Sequence, residues 1–404
     1  MPSSPSANTT TTNSTVLFAL AFRPLFLSAA IFSLITMLWW SFFWFKPFAW
    51  DVYGGPFWWH GHEMIFGFAA AVVVGFLLTA VQNWTGVRSL HGWPLASLLG
   101  LWLSGRVLIA VDFGLSAALV ALVDCGFLVA AAMAMAYPVL AVKQWRNIVF
   151  APMLLILALL NAYSHWSVLN DQPLHARYAL HAAILLITVV MTIIGGRVIP
   201  MFSANGTGTS KVMPIPVLDS VSLLSVVLVA MLVIAPIFTP LAIPELIAST
   251  IYGLAFVSNS WRFLRWRFWV CWQQPLLWSL HLAYAFIPLG LLGLFLHSIG
   301  LWTNLSSAMH CFSAGAIGSL ILSMMARVSL GHTGRALQVP PVLSAAFICI
   351  LAAALVRVLV PIYNPAWLQY TVLVAGGLWA AAYAIFVVYY TPILCKPRID
   401  SRPG

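Results

Sequence analysis

Two histidines and a glutamate stand together at the start of a long apolar segment. The run 58–66 contains His60, His62 and Glu63, and Glu63 is one of only two glutamates in the 404-residue chain. Ionisable groups are costly near hydrocarbon and mark metal, ion or proton sites in membrane proteins. Neutral imidazole is a common ligand for transition metals and adds no charge of its own. The cluster therefore predicts haem or copper ligation, with Glu63 as the acidic partner or as a proton carrier.

The spacing of the histidines divides them between sites. Residues two apart on an α-helix point about 200° from each other, so His60 and His62 are expected to face different centres. His175 and His181, six residues apart, are also expected to address different neighbours. His181 and His310 each fall about seven residues below the outer surface of the predicted membrane domain, at about 1.5 Å per residue. They could meet across a helix bundle.

Further polar residues lie near the ends of apolar segments. The guanidinium of an arginine at such a position either extends to the membrane surface or binds a pair of carboxylates, such as the propionates of a haem. His91, His165 and His297 lie in or near loops and are interpreted as polar anchors at the membrane interface. The remaining candidates for cofactor binding are Arg23, Arg197, Arg327, His281 and His332.

The composition excludes a water-soluble globule. Hydrophobic residues make up 62% of the chain, charged residues 6%, and the mean hydropathy is +0.99. The net charge of +10 is explained by basic cytoplasmic loops, so nucleic-acid binding is not expected. The five cysteines form no CxxC pair, which argues against a disulfide framework or a zinc site.

Apolar segments of about 20 residues, the length of one membrane span, occur twelve times and predict an all-α polytopic membrane protein. The loops after even-numbered segments hold nearly all of the lysines and arginines, which puts both termini in the cytoplasm. We expect one membrane domain at 16–394, a disordered N-terminal tail at 1–15, a cytoplasmic tail at 395–404 and a long loop at 203–214. The predicted spans are 20–45, 58–84, 93–111, 115–141, 147–168, 175–202, 215–237, 241–261, 274–298, 304–330, 340–361 and 367–392.

Three blocks of the sequence resemble the NnrS family of bacterial membrane proteins. They are 22–27 (FRPLFL), 59–86 (beginning WHGHEMIFG and ending NWTG) and 315–335 (ending RVSLGHTGR), with supporting matches at 195–200 and 281–284. The resemblance implies a twelve-span protein of the bacterial inner membrane that binds haem b and copper. It also implies a link to denitrification and to the response to nitric oxide stress.

A more distant similarity involves the catalytic subunit of haem-copper oxidases and nitric oxide reductases. There a haem-ligating histidine precedes a Met-Ile-Phe-like run in the second span, as His60 precedes Met64. The opposing ligand precedes a Gly-Ala pair in the tenth span, as His310 precedes Gly315. The similarity implies that His60 and His310 ligate one haem. Span seven here has no histidine, so a second metal would draw on His62, Glu63, His165, His175 or His181.

Two functions are compatible with these patterns. The first is a redox protein that acts on nitric oxide with electrons from an unidentified donor. The alternative is a transporter or a haem or copper delivery protein without turnover. Enzyme status stays open at this point, because a haem with two histidine ligands carries electrons, whereas reaction with a diatomic needs an open metal position.

Overall fold

Twelve long helices make up most of the part of the chain that the structure describes. A computed structural model describes residues 16–239, 243–302 and 304–400, and these contain no β-strand. The predicted N-terminal tail at 1–15 lies outside the described residues. The helices are α1 (Phe22–Phe45), α2 (Gly55–Thr85), α3 (Gly92–Ala110), α4 (Ala117–Ala141), α5 (Phe150–Leu169), α6 (Pro173–Thr207), α7 (Pro216–Phe238), α8 (Glu245–Arg265), α9 (Pro275–Ser298), α10 (Leu305–His332), α11 (Pro341–Tyr363) and α12 (Leu368–Leu394).

Eleven of these helices are long and apolar enough to cross a membrane, so the predicted all-α polytopic membrane fold is confirmed. The exception is α8, which replaces the predicted span 241–261. Helix α8 runs antiparallel to α7. Asn259, near the end of α8, donates from Nδ2 to the carbonyl oxygen of Ser222, near the start of α7, at 3.0 Å. Arg265 at its end donates to the Met213 carbonyl oxygen, in the loop that follows α6, at 3.0 Å. Helices α7 and α8 therefore bring the chain back to the side of the bundle on which α6 ends.

Hydrogen bonds also connect the ends of other helices on each side of the bundle. Arg398 Nη1, after α12, donates to the carbonyl oxygen of His332 at the end of α10 at 2.9 Å. On the opposite side, Gln369 Nε2 at the start of α12 donates to the Trp44 carbonyl oxygen at 2.8 Å. We call the first side the basic face, because it carries the lysine- and arginine-rich loops, and the second the outer face. The positive-inside rule predicts that the basic face is cytoplasmic.

Helices α2 and α10 occupy the centre of the bundle. In each, 83% of the apolar stretch is buried within the protein, against 22% for α7. Each also contains a π-helical segment, at Glu63–Ala69 in α2 and at Cys311–Gly318 in α10. Such segments are rare and occur frequently at functional sites. Both begin within three residues of the histidines that the sequence analysis singled out.

The prediction of a loop over 203–214 is wrong in its first half. Helix α6 continues to Thr207, where the hydroxyls of Ser203 and Thr207 donate to carbonyl oxygens four residues earlier, at 2.9 and 2.7 Å. Hydropathy detects only the apolar part of a helix, so the polar turns beyond Pro200 resembled a loop.

Candidate functional site

His60 and His62 face different parts of the bundle. The helix is regular over Gly55–His62, so the two side chains point to different sides of α2. The His60 ring stacks on Trp40 of α1, with ring centroids 4.3 Å apart and planes 6° apart. The His62 ring is buried among other polar groups, with Nδ1 3.1 Å from Glu63 Oε1.

A cavity on the His60 side lies between α1, α2, α10, α11 and α12. His60 and His310 both line it, together with Met37, Met64 and mostly apolar side chains. Its open volume is about 90 Å³, so a planar macrocycle would enter by displacing flexible lining side chains such as these methionines. The cavity brings together the two histidines that the distant similarity implied as ligands of one haem.

The ring nitrogens of these two histidines differ in their hydrogen bonding. His310 Nδ1 lies 2.7 Å from the Ser306 carbonyl oxygen. A carbonyl oxygen only accepts, so Nδ1 carries the proton and Nε2 keeps its lone pair. This is the arrangement by which proteins orient a metal-binding imidazole. Among the described residues, neither ring nitrogen of His60 has a hydrogen-bond partner, so both sides of the cavity offer an imidazole nitrogen.

Arg357 of α11 also lines this cavity, and the sequence analysis missed it. Its Nη2 donates to Ser306 Oγ at 3.3 Å, and it has no carboxylate partner within the described ranges. The sequence does indicate a special role for Arg357, because it is the only charged residue within the apolar stretch of α11. An arginine inside a span is a functional-site candidate by default.

On the His62 side, six polar residues from α2, α3, α4 and α5 form what we call the outer polar cluster. Arg106 Nη1 donates to Glu63 Oε2 at 2.6 Å, and Arg106 also pairs with Asp124. Asn161 Nδ2 donates to Asp124 Oδ2 at 2.6 Å. No member is more than 4% exposed, so water screens these charges little. The members are His62, Glu63, Arg106, Asp124, Asn161 and His165.

His165 connects the outer polar cluster to a loop on the outer face. Its Nδ1 lies 3.0 Å from the hydroxyl of Tyr53, and its Nε2 lies 3.1 Å from Asp124 Oδ2. The Asp124 carboxylate only accepts, so Nε2 carries the proton and donates to it. In the neutral imidazole Nδ1 then accepts from the Tyr53 hydroxyl, whose pKa is raised by burial to about 12. The interpretation of His165 as an interfacial anchor is therefore wrong, because the turn that carries it is buried against α4.

The charges of the cluster do not cancel while both imidazoles are neutral. Glu63 and Asp124 are two carboxylates, and Arg106 is the only cation paired with them within the described ranges. Unbalanced charge is strongly disfavoured in a dry interior. A proton on His62 or a bound cation would neutralise the cluster.

Three members of the cluster could hold a metal ion. One ligand atom from each of His62, Asp124 and His165 lies within 4.8 Å of the other two. Two imidazoles and a carboxylate suit copper or zinc. The expectation that Glu63 is the only acidic partner is thus wrong. An aspartate inside apolar α4, with Arg106 inside neighbouring α3, was the signal that sequence reasoning overlooked.

Two glycines, which have no side chain, provide room for the charged groups of the outer polar cluster. A Cβ at Gly67 would lie 2.8 Å from Glu63 Oε2 and 2.9 Å from Arg106 Nη1. A Cβ at Gly105 would lie 2.9 Å from Asp124 Oδ1. Both contacts are closer than side-chain carbons ordinarily tolerate, so these positions need glycine for the charged groups to meet.

A sequence profile described as NnrS protein matches residues 16–398. The chain belongs to the NnrS family. The matched range includes all twelve helices of this NnrS-family protein, the cavity and the outer polar cluster. No curated protein matches the chain.

Other candidates of this NnrS-family protein lie outside both sites. Tyr163 shares a hydrogen bond of 2.6 Å with His175 Nδ1. His181 is not among the residues that line the cavity of His310, and among the described residues it has no hydrogen bond or ring contact. On α9, His281 Nε2 lies 2.8 Å from Ser203 Oγ, and its buried Nδ1 has no partner among the described residues.

The three arginines proposed as clamps contact protein groups near the basic face. Arg23 is 1% exposed and does not snorkel, since its Nη1 donates to the carbonyl oxygens of Leu394 and Lys396, both at 2.8 Å. The guanidinium of Arg327 lies 4.0 Å from the centre of the Phe202 ring. Arg197 Nη1 donates to Asn147 Oδ1 at 3.0 Å, and the His332 ring packs 5.6 Å from that of Phe22. None of these residues lines the cavity that holds His60 and His310.

Proposed function

We propose that this NnrS-family protein binds haem and copper in the bacterial inner membrane and acts in the response to nitric oxide. The observation that carries the proposal is the shared cavity of His60 and His310 between five helices. Membership of the NnrS family supports the link to nitric oxide.

The residues of the cavity fit a haem. His310 offers an unprotonated Nε2, and His60 offers a ring nitrogen without another partner. The apolar walls suit a porphyrin face, and the guanidinium of Arg357 suits a propionate, because it presents several donors to carboxylate oxygens. His60 and His310 would hold the haem, and a haem held by two histidines supplies electron transfer.

The residues of the outer polar cluster fit copper. His62, His165 and Asp124 offer two imidazole nitrogens and one carboxylate oxygen from three helices, once the proton of His165 moves from Nε2 to Nδ1, where the Tyr53 oxygen can accept it. A cation there would also offset the excess negative charge of the cluster. Tyr53 and Glu63 would act as outer hydrogen-bond partners, which orient the ligating side chains.

While the cluster holds no ion, the same residues form a path for protons, because the atoms that make these contacts are also the candidate metal ligands. Tyr53, His165, Asp124, His62 and Glu63 are joined in this order by contacts of 3.0 to 3.1 Å. The path runs from a loop on the outer face into the bundle. Reduction of nitric oxide consumes protons together with electrons, so an electron carrier beside a proton path is suited to that chemistry. We therefore favour redox chemistry over transport or delivery.

The optical spectrum of the purified protein tests the proposal. We expect haem absorption bands that sharpen and shift on reduction with dithionite, together with copper by elemental analysis after gel filtration. Nitric oxide added to the reduced protein should oxidise the haem if the protein turns it over, whereas a delivery protein should lose metal to an acceptor without such oxidation. A colourless protein without bound metal would contradict the proposal.

A further inference from the structure

A second cavity opens on the basic face, away from the cavity of His60 and from the outer polar cluster. It has a volume of about 450 Å³ and lies between α6, α7, α8 and the connection that follows α4. The charged residues in its walls comprise five cations and a single carboxylate. They are Arg146, Arg197, Lys211, Arg262, Arg265 and Asp219.

One of these cations is held by the protein itself. Arg262 Nε donates to Asp219 Oδ1 at 2.8 Å, and its Nη1 donates to the carbonyl oxygen of Thr192 at 3.1 Å. Gly196 permits this approach, because a Cβ there would collide with the guanidinium. Arg262 and Asp219 therefore neutralise each other as a fixed part of the wall.

The other four cations have no acidic partner among residues 16–239, 243–302 and 304–400. Arg197 donates to the side-chain oxygen of Asn147, and Arg265 donates to the Met213 carbonyl oxygen, each at 3.0 Å. Both acceptors are neutral, and no hydrogen-bond partner of Arg146 or Lys211 lies in the described ranges. About four positive charges thus face one cavity without a counter-charge from the part of the chain that the structure describes.

The general excess of lysine and arginine in the loops of the basic face does not by itself explain why four unpaired cations face one cavity. The positive-inside rule places lysine and arginine anywhere on the cytoplasmic side. Here the cations come from four separate segments, and Arg197 lies within α6 rather than in a loop. Like charges that share a site disfavour one another, so an arrangement of this kind is stabilised by a bound anion.

We propose that this cavity binds a phosphate-type anion, which is either the headgroup of an anionic phospholipid or a free phosphate. Arginine side chains present paired donors that match phosphate oxygens, and lysine adds a mobile charge. Basic pockets between membrane helices on the cytoplasmic side bind anionic headgroups by this chemistry. The inference is independent of haem and copper binding.

The test compares two double variants of the full-length protein in detergent. Arg146→Gln with Lys211→Gln removes two charges from the cavity, and both residues lie outside the long helices. Arg88→Gln with Arg335→Gln removes two charges from the same basic face outside the cavity. Native mass spectrometry measures binding of phosphatidylglycerol against phosphatidylcholine, and calorimetric titration measures binding of inorganic phosphate.

We expect binding to be about thirtyfold weaker in the cavity variant, from about 1 kcal/mol per basic residue, and nearly unchanged in the control. Preference for phosphatidylglycerol that depends on Arg146 and Lys211 identifies a lipid site. Phosphate binding with the same dependence, but without lipid preference, identifies a site for a free anion. Equal weakening in both variants, or no binding of either probe to the unmodified protein, would overturn the proposal.

Discussion

His60 and His62 lie two residues apart in α2, yet they belong to different sites. His60 lines a cavity with His310, while a ring nitrogen of His62 lies within 4.8 Å of candidate ligand atoms of Asp124 and His165 in the outer polar cluster. The regular α-helical turn over Gly55–His62 separates the two rings. Substitutions at one site are therefore expected to leave the other largely intact.

The histidine pair of the cavity can be tested by single substitutions. His60→Ala and His310→Ala should each abolish the same set of haem bands, because each removes one of the two histidines that would hold the haem. The matched control is His297→Ala, since His297 is exposed at the end of α9 and contacts only the Trp302 carbonyl oxygen among the described residues. Optical spectra and haem content per chain make the comparison. Loss of two different haems would contradict the pairing.

The outer polar cluster should govern copper content. His165→Ala and Asp124→Asn each remove one of three proposed ligands, so we expect the copper-to-protein ratio to fall at least tenfold with haem bands retained. His175→Ala is the control, because His175 bonds to Tyr163 outside the cluster. Elemental analysis measures copper, and the optical spectrum measures haem. Unchanged copper in both variants would place the ion elsewhere.

Arg106 should be essential for the stability of the bundle. Arg106→Gln leaves Glu63 and Asp124 buried without their cation, which typically costs about 3–5 kcal/mol, so the free energy of unfolding should fall by this order. Denaturant unfolding in detergent measures the change, and Arg88→Gln in a loop is the control. Adding Glu63→Gln should recover part of the loss, since the double variant has the net charge of the original cluster. No recovery would mean that charge balance is not the cause.

Gly67 should tolerate no side chain. The Cβ of Gly67→Ala would press on the Phe32 ring, Glu63 and Arg106, and forced contacts of this kind destabilise by about 1–3 kcal/mol. Gly100→Ala in α3 is the matched control, because a Cβ there meets no atom within 4 Å. Alanine should make that helix slightly more stable. Thermal unfolding of both variants gives the comparison, and equal midpoints would contradict the packing argument.

Arg357 should raise the midpoint potential of the haem without being one of its ligands. Arg357→Gln removes a positive charge beside the cavity and so favours the oxidised haem. The midpoint potential should fall by about 40 mV, which corresponds to about 1 kcal/mol for one electron. Arg357→Lys keeps the charge and should shift the potential less. Potentiometric titration followed by absorbance measures both, and a rise in potential would argue against Arg357 as a neighbour of the haem.

The sequence by itself determined the class of protein and the division of the histidines. Hydropathy over about 20 residues identifies a membrane helix, because lipid imposes this length on any chain that crosses it. The separation of His60 from His62 follows from 3.6 residues per turn, which is a local property. The blocks 22–27, 59–86 and 315–335 also indicated the family that the profile confirmed.

Only the tertiary structure decided which polar groups meet. Arg106, Asp124 and His165 lie on three helices, and Arg23 bonds to the carbonyl oxygen of Leu394, 371 residues further along the chain. A helix that is apolar on all sides gives no periodic signal for the face that it turns inward. In lipid, the packing of small residues and interhelical hydrogen bonds orient such helices instead, and these contacts exist only once the bundle has formed.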